Sequence, residues 1–300
     1  MTDFMRIFDL HCDTPYEMKK RNLNLNNDCL HISASKLNDV EKYVQIMAIW
    51  SDNELSDEDC YSAFFEIYKH FRKDSDFVTG KVPENGGFYL SVEDSRLLCG
   101  DITRLDILYD LGLRFLIPTW KGESCIGGAF DTSTSLTDFG RSVIKRCFEK
   151  NIVVDISHCS EESADDIFGL AEAYNKPVIA SHSCSYSVYP HERNLRDCQF
   201  ERIKELGGIV GLSFCSYHLT SKDKLCTVQN ILEHIEKYLS LGGENILCLG
   251  GDLDGASLPS DVNGIDSYSY IYEHLEKRYG KNISDKIFYK NAEKFVNSIF

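Results

Sequence analysis

The stretch Ile152-Val153-Val154-Asp155-Ile156-Ser157-His158 combines two features that decide the fold. Its apolar run is continuous rather than alternating, which is typical of a strand buried on both faces of a parallel sheet. His158 comes just past the predicted strand 152–156, separated from it by Ser157, at the carboxyl end of the strand. We therefore expect a helix-covered parallel sheet with reactive side chains gathered at one end.

Seven other apolar, β-rich segments recur along the chain, and amphipathic helical patterns separate them. Several of these segments are also continuous rather than alternating. One such helix is capped by Asp101 and carries Leu105 and Leu108 on one face, and another ends at Gly242-Gly243. Eight strand–helix units in about 250 residues are the size of an α/β protein of the (β/α)₈ TIM-type barrel class. No linker or repeat divides the chain, so we expect residues 1–300 to form a single catalytic domain. The predicted strands are 6–10, 43–50, 88–93, 114–119, 152–156, 177–181, 208–214 and 245–250.

Composition excludes several classes of protein. With 43% hydrophobic and 12% aromatic residues in a chain of 300, a large core is available and disorder is excluded. The net charge of −15 disfavours nucleic acid and membrane surfaces as partners. No apolar run is long enough to span a membrane and no secretory pattern opens the sequence, so a cytoplasmic protein is expected. The 12 cysteines form no CxxC pair, which predicts free thiols rather than a zinc ribbon.

Reactive side chains follow the predicted strands with unusual regularity. Barrel enzymes collect their catalytic groups at the carboxyl ends of the strands, so these side chains are expected to share one mouth. Imidazoles and carboxylates crowded together there need a cation to stabilise them. In chain order, the side chains are His11 and Asp13 after the first strand, Glu93 at the end of the third, Trp120 after the fourth, His158 after the fifth, His182 after the sixth, and Asp252 and Asp254 after the eighth.

The types of ligand indicate the metal. Neutral imidazole with carboxylate and no thiolate suits Zn²⁺ better than Ca²⁺ or Mg²⁺. Three histidines and two acids exceed what one catalytic zinc needs, and they suit two ions about 3.5–4 Å apart. Each residue alone also has a structural interpretation. A lone histidine after a strand is more often hydrogen-bonded in the fold than a ligand, Asp13 fits a turn or helix cap before Thr14-Pro15, and Glu93 fits a rim carboxylate paired with a lysine.

Short motifs in the order of the chain resemble the membrane dipeptidase (renal dipeptidase) family of zinc peptidases, in particular its bacterial, soluble members. Each motif is weak alone, but seven in family order between residues 7 and 255 make a specific match. The motifs are Asp9-Leu10-His11-Cys12-Asp13-Thr14-Pro15, Ser91-Val92-Glu93, Leu113-Arg114-Phe115-Leu116 with Thr119-Trp120, Val154-Asp155-Ile156-Ser157-His158, Ala180-Ser181-His182-Ser183, His191-Glu192-Arg193-Asn194-Leu195 and Gly250-Gly251-Asp252-Leu253-Asp254-Gly255.

The resemblance implies two zinc ions per chain and a role for each site residue. By it, His11, Asp13 and Glu93 hold one zinc, and Glu93 bridges to a second held by His158 and His182. It also implies that a metal-bridging hydroxide cleaves short unblocked peptides, that Asp252 lies beside the attacking water, and that Arg193 binds the substrate carboxylate.

Two positions depart from the family pattern. Trp120 stands where the mammalian enzyme has a histidine near the scissile carbonyl, and it is expected to shape the substrate site. Asp94-Ser95 stands where the family usually has Gly-Gly.

Other functions fit part of this pattern. A related binuclear metal amidohydrolase acting on N-acyl amino acids or other small amides is the nearest alternative. A TatD-like nuclease or phosphoesterase is disfavoured by His11-x-Asp13 in place of His-x-His and by the acidic charge. A non-catalytic binding protein is the third class. We also expect a homodimer, the commonest state of soluble oligomeric enzymes.

Overall fold

Eight parallel strands form the centre of the molecule, as the sequence predicts. The computed structural model describes residues 5–38 and 40–300. The strands are β1 (Met5–Cys12), β2 (Val40–Trp50), β3 (Gly87–Glu93), β4 (Leu113–Ile117), β5 (Val153–Asp155), β6 (Val178–Ile179), β7 (Val210–Leu212) and β8 (Leu247–Leu249). They pair in the order β6-β5-β4-β3-β2-β1-β8-β7. All eight predicted strands are confirmed, and the last four are shorter than predicted.

The two outer strands of this order, β6 and β7, approach each other and close the sheet into a barrel. Ala180 and Val210 form a parallel bridge, and the Gly211 amide donates a 2.8 Å hydrogen bond to the Ala180 carbonyl. A Cβ atom at Gly211 would lie 1.9 Å from the carbonyl oxygen of Ser181, so this approach requires glycine. The predicted (β/α)₈ TIM-type barrel is confirmed.

Helices connect the strands and form the outer layer. They are α1 (Thr14–Arg21), α2 (Asp57–Phe71), α3 (Ile102–Asp110), α4 (Asp138–Glu149), α5 (Glu161–Tyr174), α6 (Asp197–Glu205), α7 (Ser216–Leu219), α8 (Val228–Ser240), α9 (Tyr268–Tyr279), α10 (Lys281–Asp285) and α11 (Asn291–Ile299). Asp101 caps α3 as predicted, because its carboxylate accepts a hydrogen bond from the Thr103 amide. Within the described ranges, no helix is both long and apolar enough to cross a membrane.

Apolar side chains fill two regions of the structure. One lies inside the barrel and includes Phe8, Val44 and Tyr89. The last helix, α11, packs Phe295 and Val296 against this cluster and covers the amino end of the barrel. The larger region lies between the strands and the outer helices. Only the carboxyl end of the barrel is therefore left for polar groups. All twelve cysteines are free thiols, as predicted.

His234 ties α8 to the loops at this end of the barrel, and it makes stability depend on pH. The Ser185 amide donates to Nδ1 at 2.9 Å, and Nε2 donates to the Leu219 carbonyl at 3.0 Å. The bond from Ser185 requires an unprotonated Nδ1 and therefore the neutral ring, and burial lowers the pKa of His234 below its usual value. In the unfolded chain His234 binds a proton at about pH 6.5, whereas in the folded chain it stays neutral to lower pH. The free energy of unfolding therefore decreases as pH falls below that value.

We expect the free energy of unfolding of the wild type to fall more steeply between pH 7 and pH 5 than that of His234→Gln. Urea unfolding at several pH values measures the difference. His274→Gln is the control, because His274 lies at the surface of α9 and bonds only the Tyr270 carbonyl of its own helix. Parallel pH curves for the wild type and His234→Gln would contradict this assignment.

Candidate metal centre

The five predicted metal ligands meet at the carboxyl end of the barrel. His11 lies near the end of β1 with Asp13 just beyond it, and Glu93 is the last residue of β3. His158 and His182 lie in the loops that follow β5 and β6. None of the five is more than 8% exposed. One expectation is corrected, because β1 continues to Cys12 and His11 is inside the strand rather than after it.

A bulge in β1 turns His11 into the site. Phe8 and Leu10 point into the barrel, so simple alternation would turn His11 outward toward the helices. The register of β1 against β2 shifts between Asp9 and Cys12, and Cys12 packs on the helix side instead. A bulge of this kind reverses which face the following side chains occupy. Glu93 needs no such device, since Tyr89 on the same strand already points inward and the alternation carries on to it.

The carboxylate of Glu93 stands between two groups of ligands. Its Oε2 atom lies 3.3 Å from Nε2 of His11, which is itself 3.4 Å from Oδ2 of Asp13. Its Oε1 atom lies 2.8 Å from Nε2 of His158 and 3.7 Å from Nε2 of His182. The two imidazole nitrogens of the second group are 2.9 Å apart. One carboxylate therefore offers a separate oxygen to each group, as a bridging ligand does.

The ionisable side chains of this cluster have shifted pKa values, because they are buried close together. Burial, reinforced by the charge of Glu93, raises the pKa of Asp13 to about 8. Burial also raises the pKa of Asp252 to about 6. Burial and the nearby Arg193 guanidinium lower the pKa of His158 to about 4. Burial works against ionisation of Glu93 too, but His11 and His158 outweigh it and hold the pKa of Glu93 below its usual value. A divalent cation would satisfy these carboxylates and neutral imidazoles together.

Hydrogen bonds at Nδ1 orient the rings of His158 and His182, whose Nε2 atoms face Glu93. Nδ1 of His158 lies 3.1 Å from the Trp120 carbonyl, so it carries the proton. Nδ1 of His182 lies 2.8 Å from the Ser181 hydroxyl, in a chain that passes through Ser157 to the buried carboxylate of Asp155. Contacts of this kind fix a ligand ring in metalloproteins and leave Nε2 for the metal.

Several buried polar atoms of the site have no hydrogen-bond partner among the residues that the structure describes. Both ring nitrogens of His11 and Oδ1 of Asp13 lack a hydrogen bond. Unpartnered buried polar atoms are costly, and an ion at this position would use them. Ligand atoms lie within 4.8 Å of one another in two overlapping groups here, His11 with Glu93 and His182, and His11 with Asp13 and Asp252, so the cluster is compact enough to hold metal ions. The donor set of imidazoles and carboxylates therefore fits a divalent metal.

The Asp252 carboxylate lies against His11 and Asp13, and the Asp252 amide donates a 3.2 Å hydrogen bond to the His11 carbonyl. Its Oδ1 atom lies 4.0 Å from Nε2 of His11. Its backbone adopts a left-handed φ of 55°, in the loop after β8 where Gly255 allows close approach to Asp13. Asp254 has a different place. Its carboxylate accepts hydrogen bonds from the Thr14 hydroxyl and the His31 amide, so it fixes loops rather than facing the ligands.

Arg193 is buried beside this site. It is 4% exposed, and its Nε and Nη1 atoms make no hydrogen bond. Nη2 donates only to the His182 carbonyl, at 3.4 Å. No carboxylate of the described residues lies within 4.0 Å of its guanidinium nitrogens, so Arg193 has no ion-pair partner there. A pocket of about 560 Å³ opens against Arg193 and Phe130, although none of the five predicted ligands lines it. The guanidinium is therefore available to an anionic ligand.

A family model for membrane dipeptidase (peptidase family M19) matches residues 1–299. The chain belongs to the membrane dipeptidase family. It is accordingly a metal-dependent dipeptidase, a hydrolase that acts on small peptides. An uncharacterized protein from the pqqA 5′ region of Klebsiella pneumoniae is 27% identical over 67% of this chain and 78% of its own length.

Solved structures share the fold of this dipeptidase. The dipeptidase AC, a family M19 metallopeptidase, matches with a TM-score of 0.88, 20% identity, and 98% of each chain covered. A metallopeptidase from Rhodobacter sphaeroides, liganded with a phosphinate mimic of the dipeptide L-Ala-D-Ala, matches with a TM-score of 0.90 and 20% identity over 99% of this chain and 100% of its own.

An aromatic wall borders the metal centre of this dipeptidase. The Trp120 ring stacks on His158 with centroids 6.1 Å apart, and the Trp50 ring lies 5.0 Å from Trp120. Tyr16 meets Trp50 edge-on at 4.8 Å. Trp50 was not among the predicted site residues. A signal was available, because Trp50 ends β2 and pairs in register with Glu93, which ends β3.

Asp94 departs from the family pattern without entering the metal centre. Its φ of 72° is a left-handed value that glycine adopts more easily, in keeping with the Gly-Gly of the family. The Asp94 carboxylate turns toward Arg96, whose Nε lies 3.0 Å away and whose amide donates to it. Arg96 in turn donates to the carbonyls of Asp52 and Leu55. Through Arg96, Asp94 therefore connects the segment after Glu93 to the loop after β2.

Proposed function

We propose that the enzyme hydrolyses unblocked dipeptides at a centre of two zinc ions. His11, Asp13 and Glu93 would hold one ion, and Glu93, His158 and His182 the other. The separate orientation of the two Glu93 oxygens, 3.3 Å from His11 and 2.8 Å from His158, is the observation that carries this proposal. The absence of thiolate among the five ligands favours zinc with imidazole and carboxylate donors. When bound, the pair would activate a water as hydroxide and polarise the scissile carbonyl.

Asp252 is proposed to move the proton during hydrolysis. Its carboxylate lies 4.0 Å from Nε2 of His11, which is close enough to accept the proton of a water held beside the ligands. It would then deliver this proton to the leaving amine as the C–N bond breaks, which completes the addition of one water to the peptide bond. The indole rings of Trp120 and Trp50 would shape the adjoining wall of the substrate site and exclude water from it.

Arg193 is proposed to select substrates with a free C-terminus. Its guanidinium has two unpartnered nitrogens, and a planar fork of this kind binds a carboxylate through parallel hydrogen bonds. The ligand of the R. sphaeroides relative, a dipeptide mimic, supports a substrate of this size. An amidohydrolase acting on N-acyl amino acids would use the same contact, since those substrates also end in a carboxylate.

The test combines metal analysis with a substrate panel. We expect two zinc ions per chain, loss of dipeptide hydrolysis with chelator and recovery when Zn²⁺ is restored. Dipeptides with a free amino group should be cleaved faster than their N-acetyl forms and faster than N-acyl amino acids. Faster cleavage of the acylated compounds would favour the amidohydrolase, and a folded protein that binds no metal would contradict the proposal.

Three further expectations stay predictions: the homodimer, the single domain over residues 1–300 and the cytoplasmic location. Size-exclusion chromatography tests the homodimer.

Arg193→Ala is expected to lower kcat/KM for free dipeptides by about 10–100-fold. The reason is the loss of charge-assisted hydrogen bonds worth about 1.5–3 kcal/mol. Amidated dipeptides should be affected much less, because they have no terminal carboxylate. Arg202→Ala is the control, since Arg202 lies on the following helix α6, does not line the pocket, and pairs with Asp165 and Glu172 at the surface. An equal loss for free and amidated substrates would exclude the proposed contact.

A further inference from the structure

A second group of ligand atoms lies beside the proposed zinc pair. The thiol of Cys215, the imidazole of His218 and the carboxylate of Asp252 have atoms that all lie within 4.8 Å of one another. Cys215 and Asp252 are 6% and 9% exposed, and His218 is half-buried. Cys215 and His218 come from the segment after β7, and Asp252 follows the neighbouring strand β8. The group therefore shares the mouth of the barrel with the five proposed ligands.

We propose that Cys215, His218 and Asp252 form a third zinc site that fills when zinc is in excess and inhibits the enzyme. Thiolate, imidazole and carboxylate are all zinc ligands, and three protein ligands leave a fourth position for water. Tetrahedral zinc holds such atoms roughly 3.4–3.6 Å apart, so closing the group around an ion needs side-chain shifts on the order of 1 Å.

The surroundings hold the two new ligands in place. The Ser213 hydroxyl accepts a hydrogen bond from the Cys215 amide at 3.1 Å and lies 3.5 Å from Nδ1 of His218. The His191 ring lies against His218, with centroids 5.1 Å apart. Asn194 donates to the carbonyl of His218 at 2.8 Å. These contacts limit the movement of both side chains, so part of the ordering cost of binding an ion is already met.

The charges nearby make this site weaker than the zinc pair. Burial lowers the pKa of His218 well below its usual value, and the resulting neutral imidazole is the form that binds metal. Burial raises the pKa of Cys215 to about 12, so an ion must displace the thiol proton to solvent. Arg193 stands close enough to act on both His218 and Cys215, and its positive charge opposes a further cation. The third ion is therefore expected to bind last.

The third ion would inhibit hydrolysis because it would bind Asp252, the proposed proton acceptor. A carboxylate bound to the third ion cannot accept the proton of the attacking water. This consequence rests on the proposed function, whereas the existence of the site does not. No thiolate belongs to the proposed zinc pair, so a thiolate signature distinguishes the two kinds of site.

Cobalt titration of the metal-free, full-length protein tests the site directly. Co²⁺ bound to thiolate gives a near-ultraviolet charge-transfer band. We expect no such band during the first two equivalents and a band with the third. Cys215→Ser should lose the band entirely, and His218→Ala should weaken the third ion by roughly 10–100-fold. Cys226→Ser is the matched control, because Cys226 is equally buried, at 7% exposed, but belongs to none of the three ligand groups of the described residues.

A parallel assay measures the inhibition. The zinc concentration that halves wild-type activity should rise by roughly 10–100-fold in Cys215→Ser. Absence of the charge-transfer band in the wild type at excess Co²⁺, or its persistence in Cys215→Ser, would overturn the proposed site. If dipeptide hydrolysis itself is not found, the cobalt spectra still decide whether the site exists, so the two proposals can fail separately.

Discussion

Glu93→Gln is expected to release both metal ions and to reduce hydrolysis to background while the barrel stays folded. The carboxylate presents Oε2 to His11 and Oε1 to His158 and His182. A glutamine keeps the size of the side chain but has one oxygen and one NH₂ group, so one of the two groups of ligands would face a donor instead of an acceptor. It also removes a negative charge that the two cations need. Each effect alone lowers metal affinity. Together they should lower it by more than the roughly 10–100-fold that follows from losing a hydrogen bond to a metal ligand.

Metal content after dialysis, far-ultraviolet circular dichroism and dipeptide hydrolysis together measure this result. Asp94→Asn is the matched control, since Asp94 is the next residue and is equally buried, but its carboxylate pairs with Arg96 instead of the histidines. It should retain both ions. Two ions per chain in Glu93→Gln would exclude a bridging role for Glu93.

Much of this site was predictable because barrel geometry converts position in sequence into position in space. Glu93, His158 and His182 follow buried apolar runs, and parallel strands deliver the residues at their carboxyl ends to one mouth. The sequence therefore predicts the meeting of these side chains without any long-range information. The same reasoning placed His11 just after its strand, and this was wrong in detail. Whether a strand continues through a bulge depends on the register with its neighbour, which the sequence of one strand does not contain.

Other features depended on contacts between distant segments. Trp50 and Trp120 come together only because β2 and the loop after β4 share the mouth. Cys215 and His218 gain a possible function only beside Asp252, which lies on the next strand of the barrel. Helix α1 was also missed, because it has only eight residues and buries Thr14, Pro15 and Met18 rather than an apolar stripe. Hydrophobic periodicity identifies helices and strands that have a regular apolar face. It does not identify elements whose formation depends on contacts with distant segments.

Asp252→Asn is expected to keep the metal ions and lose turnover by about 10²–10⁴-fold, the usual contribution of a general acid–base group. The carboxylate lies 4.0 Å from Nε2 of His11, farther than the 3.3 Å of Glu93, and asparagine keeps one oxygen at this position, so metal binding should survive the change. Asparagine has the same shape but cannot accept and return a proton. The change should therefore lower kcat far more than it raises KM.

Asp254→Asn separates a role in catalysis from a role in the loop. Both aspartates have left-handed backbones in the same turn, with φ of 55° and 62°, but only Asp252 faces the metal centre. Asp254 accepts from Thr14 and His31, so its replacement should lower the free energy of unfolding and leave kcat within a few-fold of the wild type. Steady-state kinetics, urea unfolding and metal analysis on both variants decide the matter. Full turnover in Asp252→Asn would remove the proton transfer from Asp252 and leave the water to lose its proton to another group.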